Sequence, residues 1–355
     1  MSQSKRGVAT IGDVAEQSGV SRTTISRYLN GRFEFMSEDT RKRIQATIET
    51  LNYVPNPHAR SLKSNKSGFI GVSVADILSP FSSILVKGIG DYYGKRGYEI
   101  VVTNSDEKPV QERKNLTSLV DHGVDGLIVN STGENDDFLR SLRKRGIPLV
   151  LADRAADHPD FDLVMNNNYQ MTAEVVRELI NRSFGRIGFF SPPLSGNRTR
   201  QARRAAFVDV SSRQLAVDAE KFVYIIDPYD PTTVSDAITQ FIRDTHDAPR
   251  AAFAVNGVVL LAMIQTLVAL GLSIPDDVGV LGYDDWAWAA LIPPGITAIK
   301  QPTYEVGVET AKLLLSRVTA KHPSRPKQIE IPSTIVWRGS TDLTRTAVQK
   351  PDRVL

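Results

Sequence analysis

From Gly68 onward, short apolar runs return at intervals of about twenty-five to thirty residues: FIGVSV, YEIVV, DGLIV, IPLVLA, RIGFF, AAFAV and DVGVLGY. Helix-like segments of ten to eighteen residues separate them. A strand that is apolar on both faces needs cover on both, and the intervening helices supply it. The periodicity therefore predicts parallel sheets with helices packed on each side. About ten strands over some 265 residues fit two doubly wound subdomains better than one oversized sheet. In such sheets a ligand sits beyond the carboxyl ends of the strands. Those ends carry Asp76, Ser131, Thr132, Asp153, Asn256 and Asp284, polar side chains that are equally able to cap the helix that follows.

The first fifty residues follow a different rule. Thr10-Ile-Gly-Asp13 has the form of a capping box, and Ile11, Val14 and Ala15 then fall at helical spacing up to Gly19, which can turn the chain. Ser21 can cap a second helix, Arg22 to Leu29, with Ile25 and Leu29 on one face and Asn30-Gly31 at its end. A third helix begins at Ser37 and presents Ile44, Ile48 and Leu51. Three short helices around one glycine turn make a helix-turn-helix bundle, with Val14, Ile25 and Leu29 in its core. After it, Pro55 and Pro57 break the third helix and the Ser/Asn/Lys/Gly composition up to Gly68 is that of a linker. Within that linker Asn56 can cap and Pro57 suits a first helical position, so one or two turns can form on a partner surface.

Charge is distributed unevenly. Residues 1–66 hold eleven Lys/Arg against six Asp/Glu, a balance of +5, which leaves −2 for the rest of a chain of net charge +3. A basic head on a nearly neutral body points to a polyanion partner for the head alone. With no cysteine there is no disulfide, thiolate metal site or cysteine nucleophile. No apolar run is long enough to span a membrane, and the first ten residues lack the apolar core of a secretory signal, so a cytoplasmic protein is expected.

The fragments TIGDVAEQSGVSRTTISRYLNG, MSEDTRKRIQATIETLNYVPNPHARSL, ADILSPFSSILVKGI, VDGLIV, LGYDDW and GITAIKQP stand in an order and spacing that resembles the LacI/GalR family of transcriptional repressors. The resemblance covers nearly the whole chain. It implies a helix-turn-helix head at 1–54, a hinge helix or linker at 55–67, and a periplasmic-binding-protein-like α/β core at 68–355. In that core an N-subdomain of about 68–167 plus 300–326 and a C-subdomain of about 168–299 plus 327–355 are joined by three crossovers. The expected partners are palindromic double-stranded operator DNA, a small-molecule effector in the cleft and a second copy of the chain, at a nucleoid-associated site in the cytoplasm.

By that resemblance Arg22, Thr23 and Arg27 read base edges from the second helix, where Arg bonds guanine bidentately and Thr meets thymine. Thr10, Ser21, Ser26 and Asn30 set register on the phosphates, and Thr24 joins them as a further DNA contact. In the linker, Asn56, Ala59 and Leu62 belong to a helix that forms on the operator, with Leu62 wedged into a minor-groove base step. Pro57 and His58 depart from the commoner residues there. In the core, Asp76, Pro80, Phe81, Thr132, Arg203, Asn256, Asp284 and Gln301 match effector contacts, with Trp286 able to stack on a ring. Arg198 and Arg200 lie beside Arg203, and such a cluster suits an anion. The family's Asn-Asp is Asn256-Gly257 here, so part of that motif's support is missing. FMSEDT, SGNRTR and DDWAWAALIPPGIT resemble the ketodeoxygluconate branch, which points to a sugar acid such as 2-keto-3-deoxygluconate or gluconate; neutral hexoses and pentoses are the alternative.

A periplasmic-type sugar-binding protein would share the core, but the basic helix-turn-helix head and the absent export signal disfavour it. An enzyme is not expected. There is no GxSxG, HExxH or GxxxxGK[ST], and His58, His122, His158, His246 and His322 are scattered without metal-ligand spacing, so neither cofactor nor metal is anticipated. Asp284 and Asp285, adjacent at a strand end, point apart and cannot share acid-base work. The tail after Gly339 lacks leucine heptads, so a tetramerising coiled coil is not expected.

Overall fold

The computed structural model describes residues 9–53, 66–322 and 324–344. The chain divides into two compact units, Met1–Gly68 and Phe69–Leu355. The hinge helix expected around Asn56, Ala59 and Leu62 lies outside the described residues.

In the first unit α1 (Ile11–Ser18), α2 (Arg22–Leu29) and α3 (Glu38–Leu51) form as their end signals dictate. Thr10 Oγ1 accepts from the Asp13 amide at 3.3 Å while Asp13 Oδ2 accepts from the Thr10 amide at 2.7 Å, a reciprocal cap that satisfies two free donors. Gly19 takes φ 66° to turn the chain, and Ser21 accepts from the Thr24 amide at 3.1 Å to start α2. Ser37 does the same for α3. So short a set of helices persists because Val14, Ala15, Ile25, Ile44 and Tyr53 close into one buried cluster.

The described residues of the second unit form twelve strands in two six-stranded sheets, two strands more than the spacing suggests. The first sheet contains β1 (Phe69–Val74), β2 (Glu99–Asn104), β3 (Gly126–Val129), β4 (Leu149–Ala152), β5 (Asp162–Asn166) and β11 (Gln328–Ile331). Its order is β11-β5-β4-β3-β1-β2 and every pairing is parallel. Val150 and Ala152 of β4 join one buried cluster while Leu149 and Leu151 join another, and β3 and β5 alternate in the same way. Both faces are therefore covered, by α4 (Pro80–Gly94), α5 (Pro109–Asp121), α6 (Asp136–Lys144) and α11 (Thr303–Val318), and this is why the strands read as continuous apolar runs.

The second sheet contains β6 (Arg186–Ser191), β7 (Val223–Ile225), β8 (Arg250–Ala254), β9 (Gly279–Tyr283), β10 (Thr297–Lys300) and β12 (Thr334–Val336), in the order β12-β10-β9-β8-β6-β7. Its helices are α7 (Asn168–Asn181), α8 (Arg198–Leu215), α9 (Pro231–Asp244) and α10 (Gly257–Ala269). The terminal strand β12 runs antiparallel to β10, among the described residues the one departure from an all-parallel arrangement.

One expected boundary moves. The resemblance places residues from 327 on in the second subdomain, but Gln328–Ile331 pairs with β5 in the first sheet, and only from Thr334 does the chain return to the second. The edge of β5 would otherwise carry unpaired backbone groups, and Ile329 and Ile331 pack onto the first sheet's core. The chain thus passes between sheets after β5, after β10 and after β11. Side chains tie these passages together: Asn166 Nδ2 donates to Gln301 Oε1 at 2.8 Å, and the Ser333 amide donates to Asn167 Oδ1 at 2.8 Å. Among the described residues no helix is long and apolar enough to cross a membrane.

Candidate functional site

The head presents α2 as a polar face. Ser21, Arg22, Thr23, Arg27 and Asn30 are exposed, while Thr24 and Ser26 are half-buried and Ile25 is buried beneath them. Several of these groups already serve the fold. Thr10 completes the α1 cap, Ser21 Oγ lies 2.9 Å from Thr24 Oγ1, and Asn30 Nδ2 donates to the Ser26 carbonyl at 2.7 Å. Among the described residues no hydrogen bond engages the side chains of Arg22, Thr23 and Arg27, a fork and a hydroxyl side by side with a second fork one turn beyond Thr23. The Arg22 guanidinium also lies over Gly12 and, with the Thr10 amide and hydroxyl as the larger influences, holds the Asp13 carboxyl below the usual carboxylate range.

In the second unit the carboxyl ends of the two sheets face one another across a cleft. Its floor is organised by Arg203 on α8, which is 3% exposed. The guanidinium donates from Nε to Asn168 Oδ1 at 2.9 Å, from Nη1 to the Val255 carbonyl at 2.6 Å and from Nη2 to Gln301 Oε1 at 2.9 Å. It also stacks 3.4 Å above the Tyr283 ring. Gln301 passes the connection on, donating from Nε2 to Asp284 Oδ1 at 2.6 Å, and Asp284 Oδ2 accepts from the Gly257 amide at 2.9 Å. The residue that binds Arg203 is thus also the one on the β10 crossover. Burial pushes the Asp284 carboxyl up, with Arg203 and then the Gly257 amide opposing it. Asp153 is also buried and pushed up for the same reason, and one of its carboxylate oxygens has no hydrogen-bond partner among the described residues. A buried acceptor without a donor is a place for a ligand hydroxyl.

Toward the mouth the floor opens into a cavity of about 560 Å³ lined by Glu107, Arg154, Asn197, Arg200, Tyr229 and Asn256 among others. Arg154 follows β4 and grips Glu107 with both Nη atoms, at 2.9 and 2.7 Å. Arg200, in the first turn of α8, reaches the same carboxylate from the other subdomain at 3.1 Å. Burial pushes Glu107 up, but Arg154 and Arg200 outweigh it and hold the carboxyl at about 2. Burial, with Arg154 alongside, brings Arg200 down to about 10. A second link across the cleft runs from Tyr229 Oη to Asp76 Oδ2 at 3.1 Å; burial and then the Asp76 charge push the phenol up to about 12. Between these links the backbones of Gly133 and Gly196 approach so closely that a Cβ on Gly133 would fall 1.4 Å from the Gly196 carbonyl oxygen.

Of the residues anticipated for the effector, Asp76, Phe81, Arg200, Arg203, Asn256, Asp284 and Gln301 line the inner cleft and Thr132 the outer cavity. Asn256 spends its Oδ1 on the Val259 amide at 2.9 Å as the cap of α10, and the Thr132 amide is held by the buried Glu112 carboxylate at 2.5 Å. Three expectations are corrected. Arg198 turns outward onto Asp157 at 2.8 Å, because two residues along a helix from Arg200 is the opposite side of it. Pro80 is exposed at the first position of α4 and lines neither part of the cleft. Trp286 sets the outer edge of its ring against Gly257, where a Cβ would come 2.7 Å from it, and it is not among the side chains that line the cavity. The indole occupies the space that a side chain at position 257 would need, which accounts for the glycine in the Asn256-Gly257 pair. Asp285 points away from Asp284, onto Arg338 at 2.7 Å.

Sequence reasoning passed over Arg154, Glu107, Asn197 and Tyr229. Arg154 carried a usable signal, since it follows Asp153 at a strand end. Glu107 and Tyr229 did not, because each sits in a loop whose direction only the packed fold sets. Among the described residues no cluster of His, Asp and Glu could hold a metal ion.

Comparison with known proteins agrees with this division of labour. Residues 10–56 match the family described as bacterial regulatory proteins, lacI family, and residues 176–341 match a periplasmic binding protein-like domain. The HTH-type transcriptional regulator KdgR of Bacillus subtilis is 36% identical over 96% of this chain and 100% of its own length. The HTH-type transcriptional regulator PtxS of Pseudomonas aeruginosa is likewise 36% identical, over 95% of this chain and 96% of its own. The fold also matches the crystal structure of the lac repressor dimer bound to operator and the anti-inducer ONPF, with a TM-score of 0.79 at 22% identity over 94% of this chain and 99% of that one.

Proposed function

This chain belongs to the lacI family of bacterial regulatory proteins, and we propose that within it the protein represses a carbohydrate or sugar-acid catabolic operon under control of a sugar acid held in the core cleft. It is a DNA-binding transcriptional regulator and not an enzyme. In this reading two copies of the chain form a homodimer whose heads read the half-sites of a palindromic operator. Arg22, Thr23 and Arg27 read bases, Thr10, Ser21, Ser26 and Asn30 hold phosphates, and Thr24 adds a further DNA contact. Asn56, Ala59 and Leu62 enter the minor groove. The site of action is the nucleoid, in the cytoplasm.

The observation that carries the choice of an acidic effector is the gathering of Arg154, Arg200 and Arg203 along one cleft, where Arg154 and Arg200 share a single carboxylate. Hydroxyls of the same ligand would reach Asp153 and Asn256, both on the cavity wall. The test is fluorescence anisotropy of a labelled palindromic operator with and without gluconate or 2-keto-3-deoxygluconate. Nanomolar, sequence-selective binding that falls steeply with salt and shifts at least tenfold on addition of acid is expected. Arg22→Ala should lose about 1–3 kcal/mol on the operator and little on random DNA. Equal affinity for operator and random DNA would refute the base-reading assignment, and a shift with neutral sugars alone would refute the acidic effector.

A further inference from the structure

The Glu107 cluster is unbalanced in two ways. Two guanidiniums share one carboxylate, so a single anion serves both. The partners also differ in how freely they can leave it. The Arg154 and Arg200 side chains are 12% and 15% exposed, and each is pinned by a second bond, Arg154 to the Ser131 carbonyl at 3.0 Å and Arg200 to the Pro193 carbonyl at 3.1 Å. Glu107 is 37% exposed, and the hydrogen bonds of its carboxylate go to these two arginines. A buried guanidinium stripped of its anion bears the full desolvation penalty, whereas a carboxylate at the rim can return to water. The cluster can therefore exchange its anion but not its cations.

We propose that Glu107 is a built-in competitor for an anionic effector, occupying the two arginines that a ligand carboxylate uses. This rests on the reading of the cleft as a sugar-acid site. An incoming carboxylate takes Arg154 and Arg200 and releases Glu107 to solvent, so the ion pair that joined the two subdomains through Glu107 is replaced by one that runs through the ligand. The exchange orients the ligand as well. Asp76 and Asp153 flank the rest of the cleft and repel an anion there, so the acid end goes to Arg154 and Arg200 and the hydroxylated end toward Asp153. A neutral polyol of the same length cannot make the exchange and leaves the Glu107 bridge intact. The cleft thereby selects for a carboxylate by the identity of the group it must displace.

Isothermal titration of the full chain with D-gluconate and with D-glucitol, the same carbon skeleton ending in an alcohol, separates the cases. Glu107→Gln keeps the shape and removes the competing charge. It should bind gluconate at least tenfold tighter than the unaltered protein, with glucitol affinity unchanged within about twofold. Glu107→Asp, which keeps the charge but shortens its reach, should give an intermediate gain. Both variants are first checked by tryptophan fluorescence for cooperative unfolding of the second unit, which holds Glu107. Gluconate binding that is unchanged or weaker in Glu107→Gln would overturn the proposal, because Glu107 would then be aligning the arginines for the ligand. Equal tightening of gluconate and glucitol would overturn it too, as a general loosening of the cleft. If the unaltered protein ignores gluconate while Glu107→Gln binds it, the competition stands and the sugar-acid reading of the natural effector falls. If neither binds gluconate, both fall.

Discussion

Replacing Arg203 by alanine removes a guanidinium that is 3% exposed and makes three hydrogen bonds, to Asn168, the Val255 carbonyl and Gln301. A hydrogen bond from a charged donor contributes about 1.5–3 kcal/mol, so three taken independently would suggest as much as about 9. That figure is too high here. The void adjoins the open cleft, so water can enter and satisfy the Val255 and Gln301 oxygens. Water does not replace the positive charge beside the buried Asp153 and Asp284 carboxyls, which Arg203 pulls down against the effect of burial. Breaking a buried charged network by removing one partner typically costs about 3–5 kcal/mol, and that is the expected loss.

All three tryptophans, Trp286, Trp288 and Trp337, lie in the second unit, so urea titration followed by tryptophan fluorescence reports that unit alone. With a denaturant slope of about 4 kcal/mol/M, the midpoint should fall by about 1 M. Arg203→Lys restores charge but not the fork or the stack on Tyr283, and should recover part of the loss. The head has its own core and should still bind operator, while the response to effector disappears. A loss below about 1 kcal/mol, or identical behaviour of the Ala and Lys variants, would refute the account of Arg203 as the organiser of the cleft.

Gly257→Ala should cost about 1–3 kcal/mol by overpacking, since the new Cβ meets the Trp286 ring at 2.7 Å and the Asp284 Cβ at 2.9 Å. Adding Trp286→Ala should recover part of that cost, and a double-mutant cycle without coupling would show that the ring does not fill the space at 257. The Glu107 contribution depends on pH. Folding lowers this carboxyl from 4.5 to about 2, so its stabilisation is complete above about 4.5 and fades as the pH falls toward 2. The difference in urea midpoint between the unaltered protein and Glu107→Gln should be constant from pH 7 to about 5 and shrink below that. A difference that grows on acidification would contradict the sign.

Much of the architecture is legible in local pattern. The capping box at Thr10–Asp13, the turn at Gly19 and the serine caps of α2 and α3 act over three or four residues, so the head forms where its sequence says it should. The doubly wound core is legible for a related reason. A strand buried on both faces must be apolar throughout, and β3 and β4 are, with neighbouring residues feeding opposite clusters. The strand-end rule likewise found Asp76, Asn256 and Asp284, because a parallel sheet delivers its carboxyl ends to one edge whatever lies between them.

What the pattern could not decide is which charged groups meet. Arg198 and Arg200 look equivalent on the page, yet one faces Asp157 outside the cleft and the other faces Glu107, ninety-three residues back along the chain. Trp286 reads as a ring for a ligand and is instead a wall behind Gly257. The strand Gln328–Ile331 reads as part of the second subdomain and completes the first sheet, because a distant edge was open to it. Periodicity and capping are properties of neighbours in sequence, and the chain alone determines them. Ion pairs, orphaned acceptors and edge pairings depend on groups brought together from far apart, and only the tertiary packing decides those.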